Sequence, residues 1–104
     1  MATLEVEYDV VTNADKIVVD FWDTIKRRMA STIAVMASEG LVKDEDISAS
    51  LGEILSGKKT GRDNDDQVIY FNSVGAGILD LAVTTRCYRE ALKRNVGTWV
   101  PYWV

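Results

Sequence analysis

A length of 104 residues fits one domain, and 47% hydrophobic with 27% charged residues, spread along the chain, exclude a disordered tail. Sixteen acids against twelve Lys and Arg give a formal net charge of −4, which offers no basic face for nucleic acid. The absence of histidine removes Ser-His-Asp and Cys-His catalysis and histidine metal sites from this chain.

The single cysteine, Cys87, permits no internal disulfide. No apolar run reaches about 18 residues, so no membrane span is expected. The opening MATLEVEYDV lacks the basic start and apolar stretch of a secretory signal. These features together point to a cytoplasmic protein.

In chain order, residues 8–13 read as a single helical turn. The β-branched run KIVVD (16–20) reads as a buried parallel strand, because such strands are apolar on both faces. Asp20 at its end either caps the next helix or points into a ligand crevice. Trp22, Ile25, Met29, Ile33 and Met36 recur at steps of three or four, which predicts one helix of about five turns, ended in a left-handed cap by Gly40. Lys26, Arg27 and Arg28 form a solvated face of that helix, with a phosphate site as the alternative.

Residues 44–46 offer a further cap, and Ile47, Leu51, Ile54 and Leu55 predict a short helix closed by Gly57. A polar, glycine-bounded loop follows over 57–66. Its Arg62 either binds phosphate or pairs with the acids at 63, 65 and 66. QVIYF (67–71) reads as a second strand, and Ser73 is placed to cap a helix reaching about Asn95.

That helix carries the stripe Val74, Ile78, Leu81, Thr85, Tyr88 and Leu92, widened by Leu79, Ala82, Val83 and Ala91, so it is expected to be covered on more than one side. Cys87 reads as a packed thiol on it. Asp80 lies either at an active-site edge or against Arg86. After Gly97, TWVPYWV is an extended tail, an edge strand at most because Pro101 lacks a donor. Trp99, Tyr102 and Trp103 are expected to be buried against this core or a second chain.

Strands separated by helical crossovers imply an α/β fold with a parallel sheet of two or three strands and about three helices, including a long C-terminal one. So few strands leave open edges, so a segment is missing or two chains pair.

The runs ADKIVVD (14–20), EGLVKDEDISASLGEILSGKKTGRDNDD (39–66) and QVIYFNSVGAGILDLA (67–82) resemble the C-terminal third of the ornithine cyclodeaminase/mu-crystallin family. The resemblance rests on an ordered set: Leu51-Gly52-Glu53, Gly61-Arg62, Ile69 to Phe71, Ser73-Val74-Gly75 and Asp80. It implies that residues 1–104 are one domain, the C-terminal half of a Rossmann-like nucleotide-binding α/β domain. It also implies NAD(P)-linked chemistry on amino or imino acids and a homodimer. Members include cyclodeaminases, which are lyases, as well as amino-acid dehydrogenases, ketimine reductases and a thyroid-hormone-binding crystallin.

A complete two-domain member runs to roughly three times this length. The fingerprint G-x-G-x-x-G is absent, since Gly75-Ala76-Gly77 leads straight into a helix. The family's substrate-binding Arg and Lys residues and its catalytic Asp lie upstream of the matching region, so no catalytic residue and no metal ligand is assigned here. By resemblance, Asn72, Ser73, Val74 and Gly75 border the nicotinamide end of the cofactor, although the family often carries Lys at the position of Asn72. The bland reading of the same stretch is that Ser73 caps the helix and the glycines permit close packing. The expectation is a fragment that binds no NAD(P) and is inactive alone, with the N-terminal domain absent or supplied in trans. The alternative is a standalone oligomerisation or interaction module.

Overall fold

The computed structural model describes residues 4–102, so Trp103 lies outside the described residues. The short helix α1 (Tyr8–Thr12) leads into strand β1 (Lys16–Val19). Ile17, Val18 and Val19 are all buried, as a β-branched run with apolar neighbours on both faces requires. β1 is the central strand of a three-stranded parallel sheet in the order β2-β1-β3.

The expected five-turn helix is two helices. α2 (Trp22–Arg28) stops where Met29 adopts a left-handed conformation, φ 51°, and α3 (Thr32–Ser38) restarts after Ser31. The break turns Thr32 inward. Its buried Oγ1 accepts the amides of Glu5 (2.9 Å) and Val6 (3.2 Å) and donates to the Val6 carbonyl, anchoring the segment before α1. The apolar stripe persists across the break. Ile25, Ile33, Ala34 and Met36 join Val11, Ile17, Val19 and Val42 in one core on a single face of the sheet. Burying each such side chain contributes roughly 1.5–3 kcal/mol. Gly40 follows α3 with φ +76°, the expected left-handed turn.

The second correction concerns residues 47–50. After a 3-10 turn (Asp44–Asp46), Ile47–Ser50 is strand β2, and only Leu51–Leu55 forms helix α4. The sequence ISAS lacks the apolar continuity of β1, which hid it from periodicity. The pairing shifts register between Ile17 and Val18, and there the Ile17 amide is satisfied by the Ser48 hydroxyl at 3.2 Å. Ser50 then caps α4 through a capping box with Glu53. Strand β3 (Ile69–Asn72) pairs with the other side of β1, two residues later than the expected start.

α5 (Gly77–Arg94) is the long helix, but none of its residues is buried. Ile78, Leu81, Val83, Tyr88 and Leu92 are exposed, so the expected covering is not supplied by the described residues. Cys87 is exposed too, not packed. Trp99 (81% exposed) and Tyr102 (87%) do not reach the core. The radius of gyration, 18.2 Å, exceeds the roughly 13 Å of a compact chain this long, because α5 and the tail stand off the body. Five α-helices among the described residues replace the expected three.

Candidate functional site

The carboxyl ends of β1 and β3 lie side by side, and the ladder continues one step beyond β1, from the Asp20 amide to the Asn72 carbonyl at 3.2 Å. Asp20 is only 5% exposed. It does not cap α2, whose N-cap is Phe21 without a side-chain bond. Its Oδ1 accepts the adjacent Phe21 amide at 2.6 Å. Its Oδ2 accepts the Ser73 hydroxyl (2.7 Å) and the amides of Val74 (3.0 Å) and Gly75 (2.9 Å). Burial works to raise this carboxyl. The bonds from Ser73 and from the Phe21, Gly75 and Val74 amides outweigh it, so the group sits below the ordinary aspartate value. An ionised carboxylate holding four donors, three of them on one oxygen, orients its partners.

The four candidate residues come together here. Asn72 is buried at the end of β3. Its Nδ2 donates to the Tyr70 hydroxyl at 3.3 Å, while its Oδ1 has no partner. Ser73 does not cap α5, which begins four residues later behind Ala76; its hydroxyl is spent on Asp20. Val74 packs partly against the core, and its carbonyl accepts from Arg28 Nη1 at 2.8 Å. Gly75 has φ +71°, a left-handed conformation that favours glycine. Asp20 and Arg28 are thus the residues that organise this loop. The sequence signal for Asp20 was an acid ending a buried strand, and Arg28 was hidden in a basic run.

The remaining candidates lie elsewhere. Lys26 of that run is paired with Asp44 at 2.8 Å and stacks over Trp22, so it is engaged instead of solvated. Arg62 makes no ion pair among the described residues. It donates to the carbonyls of Asn64 and Gln67, and the acid beside it, Asp63, pairs with Lys16 at 2.7 Å. Asp80 is exposed in the first turn of α5, and no ion pair joins it to Arg86.

Beside Asp20 opens a groove of about 590 Å³ whose lining includes Phe21, Ser50, Leu51, Leu55 and Leu79. It sits past the carboxyl ends of β1 and β2, where open α/β sheets hold their ligands. Among the described residues, no group of His, Cys, Asp or Glu is arranged to hold a metal ion, and no helix is long and apolar enough to cross a membrane.

Residues fit a dinucleotide cofactor at one edge only. The small residues 73–75 and the buried, unpartnered Asn72 oxygen suit close approach of an uncharged group. The amides that would hold phosphate are already taken by Asp20.

The chain is 36% identical over 98 residues to a Δ(1)-pyrroline-2-carboxylate reductase of Bacillus cereus and equally to an alanine dehydrogenase of Archaeoglobus fulgidus, in each case over 94% of this chain and 30% of the relative. It is 34% identical to an N-((2S)-2-amino-2-carboxyethyl)-L-glutamate dehydrogenase of Staphylococcus aureus. The chain spans about 30% of the length of these relatives. A solved archaeal alanine dehydrogenase dimer with bound NAD superposes with a TM-score of 0.76 at 34% identity, over 97% of this chain and 31% of that one. Residues 3–95 match the profile of the ornithine cyclodeaminase/mu-crystallin family, and the three-stranded parallel sheet agrees with it, so this chain belongs to that family.

Proposed function

We propose that this chain is the C-terminal half of the nucleotide-binding domain of an NAD(P)-linked enzyme that transfers hydride at the α-carbon of an amino or imino acid. The observation that carries this is the loop Asn72, Ser73, Val74 and Gly75, pinned at the carboxyl edge of a parallel sheet by Asp20, which itself lines a groove there. This loop would border the nicotinamide end of the cofactor. NAD(P) supplies the hydride chemistry when bound, and the protein residues here shape and dry one side of its site. The phosphate-binding fingerprint and the catalytic residues would come from the upstream part, in the same chain or in trans. The resulting enzyme would be a cytoplasmic homodimer.

The test is direct. The 104-residue chain incubated with NAD(P)H and cyclic or linear imino acids should leave nicotinamide absorbance unchanged. Joining it in frame to an upstream segment carrying G-x-G-x-x-G should restore oxidation of NAD(P)H. Clear turnover by the chain alone would overturn the reading.

A second reading, a self-associating module, is favoured by one observation: the uncovered apolar face of α5 with Trp99 and Tyr102 beyond it. The occupant would be a second copy of the chain, consistent with the dimeric state of the related alanine dehydrogenase. Light scattering separates this from a monomeric fragment.

A further inference from the structure

We propose that Asp20 is a positioning residue: its carboxylate is the resident anion of a donor nest formed by the Ser73 hydroxyl and the amides of Val74 and Gly75, and it fixes the loop in the shape that faces the cofactor's nicotinamide end. Only what the loop faces rests on the function proposed above; the positioning stands on this chain's own geometry.

Three donors from consecutive residues converge on one oxygen, Oδ2, at 2.7, 3.0 and 2.9 Å, while Oδ1 is turned back onto the Phe21 amide. Donors directed in this way at one point form an anion-binding concavity, and bonds to a charged acceptor are about twice as strong as neutral ones. Asp20 is buried, so solvent does not compete for it. Val74 is held through both of its peptide groups, its N–H by Asp20 and its C=O by Arg28. Gly75 completes the turn at φ +71°. A Cβ built there meets nothing within 4 Å, so glycine is required by the backbone conformation and not by crowding.

The loop is therefore shaped by one residue 53 to 55 positions away in sequence, through a single side chain. A filled nest also rejects a second anion. The Asn72 Oδ1 beside it is buried without a partner among the described residues.

The test uses the 15N-labelled chain and sodium formate as the probe. In Asp20→Ala, the amide resonances of Val74 and Gly75 should move away from their hydrogen-bonded positions. Formate should then return them, saturably, while leaving the wild-type resonances in place. Asp20→Asn, which fills the slot with the wrong polarity, should show the displacement without the rescue. A purely structural loss would move core resonances as well and would not respond to formate. Unmoved Val74 and Gly75 amides in Asp20→Ala, or equal formate shifts in wild type and variant, would refute the proposal. If the variants do not fold, wild-type hydrogen exchange decides: both amides should exchange at least about tenfold more slowly than that of Ala76, and equal rates refute it. A failed NAD(P)H assay would remove the functional reading and leave these outcomes untouched.

Discussion

The amide of an asparagine at position 20 would point an N–H at donors that now receive a lone pair. Asp20→Asn should therefore destabilise the chain by about 2 kcal/mol at neutral pH, read from urea midpoints. The pH dependence has a definite sign. The folded carboxyl lies below its ordinary value, so its contribution is complete above the unfolded aspartate value and fades as pH falls through the folded one. Wild type should lose stability on acidification that Asp20→Asn does not, and the two urea curves should converge at low pH. Parallel curves would contradict the assignment. At Gly75 the side-chain space is open but φ is +71°, so Gly75→Ala should cost about 1 kcal/mol from conformation alone.

Among the elements, α4 is the most local. Ser50 Oγ accepts the Glu53 amide and Glu53 answers to the Ser50 amide at 2.8 Å, so Ser50→Ala should cost about 1 kcal/mol in thermal or urea unfolding. Elements with a strong apolar pattern were legible from sequence: β1 from its β-branched run, β3 from VIYF, α5 from its stripe. β2 was not, because Ser48 and Ser50 interrupt the continuous apolar run that marks β1, and four residues of alternation are too few to stand out. Ser48 contributes a hydroxyl to the β1 backbone, a role that no periodicity reports. The α2–α3 break escaped for a similar reason. Met29 carries no turn signature, and the contacts beyond the break, from the Glu5 and Val6 amides to the Thr32 hydroxyl, are distant in sequence. The candidate loop does lie at a strand end, but its fixing by Asp20 is not among the roles the sequence suggests for that residue, a helix cap or a crevice-facing acid. Local rules score Ser and Asp as caps, and the contact that won spans more than fifty residues.

The whole molecule is a small packed body with a helix standing away from it. The apolar side of α5 is what a partner copy would bury, so Leu81→Glu should shift the chain toward monomer in light scattering while leaving far-UV circular dichroism near wild type. An unchanged mass would remove the self-association reading. The departure of α5 also links two scales. The helix leaves the sheet through Ala76 and Gly77, immediately after the residues gripped by Asp20. Eighteen residues make a rod of about 27 Å, so a swivel of about 10° at its root carries Arg94 through about 5 Å. The turn at residues 73–75 is thus also the root of a lever, and its shape sets where the far tip of α5 lies.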